Sequence, residues 1–145
     1  METLISVFTD TSRLHHKYHH SVFESFNLHR GQGRLFEKLE SGDGISQKEL
    51  ARRMNISPAT LTRMVQNMEK HNLVTRVTDP KDQRITLITI TKEGIRVKDL
   101  LKKRLQIVDE KIFKNFSTNE KEVLQDMLLR IQEQLKMEIY NEDNN

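Results

Sequence analysis

Two short segments of this 145-residue chain carry side chains suited to binding a nucleic-acid duplex. In residues 57–70, Arg63 and Gln66 are long enough to reach guanine or adenine edges, and small residues near Ser57 allow a close approach to phosphates. In the second segment, Arg84 ends a polar turn, and an arginine at a hairpin tip can enter the narrow minor groove. Both segments therefore predict contact with duplex DNA. The candidate DNA-binding residues are Ser46, Gln47, Ser57, Ala59, Thr60, Thr62, Arg63, Gln66, Lys70, Lys81 and Arg84.

Long helices are predicted on both sides of these segments. Apolar residues at helical spacing indicate one helix over residues 10–26 and a shorter one over 30–40. Further along, Thr91 is expected to cap a helix over about 92–115. The capping box Ser117–Glu120 then begins the last helix. The helices occupy most of the chain, so the predicted fold is mainly α.

Two short helices and a hairpin are predicted to position the candidate side chains. The capping box Ser46–Glu49 begins the first helix, and Ser57-Pro58 begins the second with an N-cap and a proline at its first position. Residues 73–78 and 85–90 are rich in β-branched side chains and flank a six-residue polar tip, which is typical of a β-hairpin. Helix, tight turn, helix and hairpin form the order of a winged helix-turn-helix, with the hairpin as the wing.

Charge and composition narrow the function classes. The net charge is +3, but residues 46–84 and 85–116 each carry 8 Lys/Arg against 4 Asp/Glu, whereas 117–145 carries 3 against 7. A polyanion would therefore bind the middle of the chain, with the acidic last helix facing away from DNA or into a dimer interface. The chain has no cysteine, which excludes disulfides, zinc–thiolate sites and thiol sensing. No nucleophile elbow, phosphate loop or dinucleotide fingerprint occurs, so we predict no enzyme and no cofactor.

Residues 28–94 resemble the MarR family (multiple antibiotic resistance regulators). The matching stretches are Leu28–Gln32, "ISQKELARRMNISPATLTRMVQNMEKHNLVTRVTDPKDQR" and "LITITKEG". The most specific piece is Asp82-x-Arg84, followed by a strand and Thr91-x-x-Gly94. The resemblance implies that residues 57–70 are the recognition helix and that Arg84 is the minor-groove arginine of the wing. It also implies that Asp82 braces the wing by pairing with an arginine.

The resemblance further implies a homodimer that binds a pseudo-palindromic operator, usually as a repressor. The apolar faces of residues 1–26 and 92–140 look too long for a 145-residue monomer to cover, which also favours dimerisation. We therefore expect a dimerisation helix in residues 1–27, a winged helix-turn-helix domain in 28–91 and dimerisation helices in 92–145. A helical dimerisation region is thus built from both termini.

A small-molecule effector is a further expectation from the resemblance. In the family, small aromatic or phenolic acids often bind between the dimer helices and the DNA-binding lobe, and such binding relieves the contact with DNA. The candidate lining residues in this chain are Phe8, Tyr18, Phe26 and Met54.

Two other functions remain open at this point: a metal-sensing regulator, and a winged-helix module that binds protein rather than specific DNA. His15/His19 and His16/His20 are pairs at a spacing of four, which places two imidazoles on one helix face, suitable for zinc or nickel. A structural or solvated role competes with this interpretation, and we predict no metal site. No run of about 18 apolar residues and no secretory signal is present, so we expect a cytoplasmic protein without a membrane partner.

Overall fold

The computed structural model describes residues 2–42 and 44–143 of the chain, and it is mainly helical as the sequence predicts. The chain separates into two compact units, with the division between Leu105 and Gln106. Within the described residues the elements are α1 (Leu4–Glu24), α2 (Arg30–Lys38), β1 (Ile45–Ser46), α3 (Gln47–Met54), α4 (Pro58–Lys70), β2 (Val74–Thr78), β3 (Thr86–Ile90), α5 (Lys92–Ile112) and α6 (Thr118–Asp143).

The hairpin predicted from residues 73–78 and 85–90 is confirmed, and a third strand joins it. β2 and β3 pair antiparallel, with Val74 opposite Ile90 and Val77 opposite Leu87. The two-residue strand β1, which the sequence did not predict, pairs antiparallel with the other edge of β3, so the order is β1-β3-β2. β1 immediately precedes α3, so this pairing attaches the helix-turn-helix to the middle of β3, at Leu87 and Ile88.

The core of the first unit lies where α1 to α5 meet the sheet. The helices α1 to α5 and the strands β2 and β3 each contribute buried apolar side chains, and α3 and α4 contribute three each. Gly33 lets α1 and α2 approach closely, because a Cβ there would lie 2.2 Å from Cε1 of Phe23. The buried apolar residues of this unit are Val22, Phe23, Leu28, Leu35, Phe36, Leu39, Leu50, Ala51, Met54, Leu61, Val65, Met68, Leu73, Val74, Ile88, Val97 and Leu101.

The motif Thr91-x-x-Gly94 holds the beginning of α5 against the base of the wing. The Thr91 backbone N–H donates to the Leu73 carbonyl at 3.0 Å, and its hydroxyl donates to the Asn72 carbonyl at 2.6 Å. The same hydroxyl accepts from the Gly94 N–H at 2.9 Å, which confirms the predicted cap. A Cβ on Gly94 would lie 2.0 Å from the Leu73 carbonyl oxygen, so a side chain is excluded here. The motif therefore joins the hairpin, the end of α4 and α5.

The last helix, α6, is capped as predicted but buries none of its described residues. The Ser117 N–H donates to the Glu120 carboxylate at 2.8 Å, and the Glu120 N–H donates to the Ser117 hydroxyl at 3.3 Å. The first of these bonds, assisted by the Ser117 hydroxyl, lowers the pKa of Glu120. Large apolar side chains such as Leu135 (48% exposed) and Ile139 (59% exposed) remain open to solvent. Among the described residues, no helix is long and apolar enough to span a membrane.

Candidate nucleic-acid interface

A three-residue turn separates the two helices of the helix-turn-helix. Asn55 is the C-cap of α3, and its left-handed backbone (φ 51°) lets its N–H bond the Arg52 carbonyl at 3.1 Å. The next N–H, of Ile56, bonds the Ala51 carbonyl at 3.2 Å. Ser57 then caps α4 by accepting from the Thr60 N–H at 3.2 Å. The chain therefore reverses into α4 with the free backbone groups of both helix ends largely satisfied.

Helix α4 has one buried and one exposed face. Leu61, Val65 and Met68 are fully buried against the rest of the first unit. The opposite face is exposed. Four candidate DNA-binding residues recur on it at steps of four, three and four, which places them in one stripe along the helix. This stripe consists of Ala59, Arg63, Gln66 and Lys70. The candidates Ala59, Arg63, Gln66 and Lys70 therefore lie on the exposed side of α4, whereas the candidate Thr62 is half-buried.

Hydrogen bonds hold several polar candidates near the beginning of α4. The Gln47 amide donates to the Thr62 hydroxyl at 2.7 Å, and that hydroxyl donates to the Pro58 carbonyl at 2.9 Å. Gln47 and Thr62 therefore join α3 to α4 in addition to any contact they make with DNA. Ser46 is similarly engaged as the N-cap of α3, accepting from the Glu49 N–H at 3.1 Å.

The tip of the wing is closed by two aspartates. The Asp79 carboxylate accepts from the Lys81 N–H at 2.8 Å, and the Asp82 carboxylate accepts from the Arg84 N–H at 3.0 Å. Asp82 therefore contacts Arg84 through the backbone, whereas the family resemblance implies a pair with an arginine side chain. The Ile85 N–H closes the turn on the Asp82 carbonyl at 3.0 Å. Lys81 and Arg84 are both exposed at this tip.

The arginines of this region differ in whether a carboxylate neutralises them. Glu49 binds Arg52 and Arg53 at 2.7 and 2.8 Å, and these hydrogen bonds lower the pKa of Glu49 to about 2. Across residues 2–42 and 44–143, the guanidinium groups of Arg63 and Arg84 form no ion pair. Their charges are therefore available to an external anion. We call the exposed candidates on α4 and the wing tip the recognition surface: Ser57, Ala59, Thr60, Arg63, Gln66, Lys70, Lys81 and Arg84.

The four candidate effector-lining residues lie in different environments. Met54 is buried in the core at the end of α3, Phe8 and Phe26 are half-buried, and Tyr18 is exposed on α1. A polar cavity of about 250 Å³ lies elsewhere in the first unit, beside the end of α2. It is lined by Lys38, Glu40, Ser41, Gly44, Ile45 and Arg53, none of which was a candidate. The effector site stays a prediction.

The N-terminal histidines do not form a metal-binding cluster in the described part of the chain. The rings of His15 and His19 lie 4.0 Å apart on α1, and His20 pairs with Glu24 at 3.3 Å. No group of three or more His, Asp or Glu residues close enough to hold a metal ion is found among the described residues. The geometry therefore does not favour the metal-sensing alternative.

Sequence reasoning missed the residues that hold α4 in place. Gln32 on α2 donates from its amide to the Asn67 side chain of α4 at 2.6 Å. Gly31 lies against the same helix, because a Cβ there would lie 3.0 Å from Cε of Met64. A signal was present: Gln32 is a polar residue four positions after Leu28 and three before Leu35, on the face that α2 buries.

The two helices, the exposed basic stripe on the second and the arginine-tipped hairpin define a winged helix-turn-helix, a class of DNA-binding fold. Solved structures share this fold over nearly the whole chain. MepR, a transcription regulator of the Staphylococcus aureus multidrug efflux pump MepA, superposes with a TM-score of 0.79 at 21% identity, covering 92% of this chain and 99% of MepR. The S. aureus MepR–DNA complex superposes with a TM-score of 0.74 at 20% identity, covering 93% and 99%.

Sequence comparison identifies the family. The MarR family model matches residues 28–86. The HTH-type transcriptional regulator YxaD of Bacillus subtilis (strain 168) is 38% identical over 109 residues, which cover 72% of this chain and 73% of YxaD. The chain therefore belongs to the MarR family, and it is a transcriptional regulator with a DNA-binding fold.

Proposed function

We propose that the protein is a cytoplasmic, dimeric repressor that binds a pseudo-palindromic operator, and that a small aromatic or phenolic effector relieves this binding. The observation that carries the DNA-binding part is the recognition surface, which combines an exposed polar stripe on α4 with two arginines that no carboxylate of the described residues neutralises. The alternative function, a winged-helix module that binds only protein, is not favoured, because this chain's relatives are transcriptional regulators.

In this proposal α4 enters the major groove and the wing follows the backbone into the adjacent minor groove. Arg63 and Gln66 point to base edges because they lie on the exposed stripe, opposite the buried Leu61 and Val65. Ser57 and Thr60, at the helix N-terminus, contact phosphate through their hydroxyl groups. Arg84 reads the width and the negative potential of the minor groove rather than individual bases.

The proposed dimer is supported by the apolar surface that the described chain leaves exposed. On α1, Leu4 is 85% exposed and Ile5 is 68% exposed, and α6 buries none of its described residues. Exposed apolar surface of this extent indicates an interaction surface. A two-fold dimer would place two copies of α4 one turn of DNA apart, which is what a palindromic operator requires. In this proposal residues 1–27 and 92–145 form the dimer, and residues 28–91 bind DNA.

The test compares binding to DNA from upstream of the chain's own coding region with binding to a random duplex of equal length, at one fixed salt concentration. Arg84→Ala and Arg63→Ala should each weaken specific binding by about tenfold, which corresponds to one lost groove contact. Arg96→Ala is the matched control, because the Arg96 guanidinium is already paired with Glu93 at 2.6 Å. If the wild-type chain binds its upstream DNA no more tightly than the random duplex, the proposed function is wrong.

A further inference from the structure

Gln32 is a polar side chain buried in the core of the first unit. It is only 2% exposed, whereas the other polar side chains of the described residues are more open to solvent. Its amide oxygen accepts from the His29 N–H at 2.8 Å, at the beginning of α2. Its amide nitrogen donates to Oδ1 of Asn67 at 2.6 Å. Both ends of the buried amide are thus hydrogen-bonded, one to its own helix and one to α4.

Asn67 lies between the two faces of the recognition helix. It follows the exposed Gln66, precedes the buried Met68, and lies one turn after Arg63. One turn before Asn67, Met64 meets the first turn of α2 at Gly31. The beginning of α2 therefore contacts α4 at two successive positions, directly beside the stripe that carries Arg63 and Gln66.

The two kinds of contact constrain α4 differently. Packing of Leu61, Val65 and Met68 holds the helix against the core, but hydrophobic contact is non-directional and allows a helix to roll. A hydrogen bond requires a particular distance and angle, so it resists rolling. Side-chain ends lie roughly 6 Å from a helix axis, so a rotation of about 20° moves them by about 2 Å. Such a displacement is enough to break a hydrogen bond to a base edge.

We propose that Gln32 is a positioning residue for sequence-specific DNA binding: through Asn67, and together with the bond between Gln47 and Thr62, it sets the rotation of α4 about its axis and so directs Arg63 and Gln66 at the base edges. The proposal rests on the proposed function and adds a residue that does not touch DNA. Non-specific binding through phosphates tolerates a rolled helix, because charge attraction is only weakly directional. Loss of the Gln32–Asn67 bond should therefore lower specificity rather than affinity in general.

The experiment is a double-mutant cycle on the full chain, made of Gln32→Met, Asn67→Ala and the double variant. For each protein we would measure the affinity for the upstream duplex and for a random duplex. The first affinity divided by the second is the specificity ratio. Asn67→Ala removes only the bond to α4 and leaves the bond within α2. Val97→Ala, a core substitution on α5, controls for a general loss of stability.

We expect each single variant to lower the specificity ratio about tenfold, with less than a twofold change for the random duplex. The double variant should be no worse than Gln32→Met, because both changes remove the same bond. The role of Gln32 would be overturned if the specificity ratio were unchanged in the single variants, or if the two decreases multiplied in the double variant. An equal decrease of the ratio in Val97→Ala would also overturn it. A wild-type chain without any preference for the upstream duplex would instead overturn the proposed function, and with it this role.

Discussion

Replacing Gly94 by alanine tests how α5 is attached to the base of the wing. A Cβ at this position would lie 2.0 Å from the Leu73 carbonyl oxygen, and real Cβ contacts essentially never fall below 3.0 Å. The helix must therefore move away from that carbonyl. The same carbonyl accepts the Thr91 N–H at 3.0 Å, so the movement also strains a hydrogen bond of the motif.

The size of the effect follows from three contributions. Overpacking against a backbone group costs about 1–3 kcal/mol, and a weakened hydrogen bond adds about 1 kcal/mol. Alanine in a helix offsets this by about 1 kcal/mol relative to glycine. We expect Gly94→Ala to lower the free energy of unfolding by about 2 kcal/mol, which lowers the Tm by roughly 8 °C for a chain of this size.

Urea and thermal unfolding of wild type and variant, at one protein concentration, would measure this difference. The equal concentration matters because dimerisation makes the Tm concentration-dependent. Gly31→Ala is the matched control: its new methyl meets only the flexible end of Met64 at 3.0 Å, so it should stay close to wild type in stability. A Gly94→Ala variant as stable as Gly31→Ala would refute the argument that the Leu73 carbonyl requires glycine.

Two further predictions concern charge and assembly. The pKa of Glu49 is lowered from 4.5 to about 2 by Arg52 and Arg53, so its contribution to stability is present above pH 4.5 and lost as the pH falls through 2. Glu49→Gln should lower the Tm more at pH 6 than at pH 2, and an equal decrease at both values would contradict this pairing. Leu135→Glu puts a carboxylate on the exposed apolar face of α6 and should shift sedimentation equilibrium from dimer to monomer, whereas the exposed Glu133→Gln should not. A monomeric wild type, or a dimer that survives Leu135→Glu, would argue against α6 as the dimer interface.

Much of the fold was predictable because its signals are local. Ser46, Ser57, Thr91 and Ser117 cap helices at the positions expected from their own short motifs. The exposed stripe of α4 was likewise predictable from the period of its apolar residues. These features depend on residues no more than four positions apart, which the linear sequence displays directly.

Parts of the candidate site could not be predicted, because they depend on which distant residues meet. Asp82 was expected to pair with an arginine side chain, yet its carboxylate caps the Arg84 backbone within the turn. Gln47 was a candidate for DNA contact, and in the structure its amide is bonded to Thr62, fifteen residues away. The type of a residue determines which groups its side chain can bond. The fold determines which of those groups lie close enough to bond it.

By itself, the sequence determined the class of fold, the face of α4 that stays exposed and the arginine at the wing tip. The tertiary structure alone decided the third strand β1, the exclusion of a side chain at Gly94 and the bond between Gln32 and Asn67. The physical reason is the separation, along the sequence, of the residues that interact. Caps and periodicity act within one or two helical turns, whereas close backbone approach and buried hydrogen bonds join residues that are distant in the chain and neighbours only after packing.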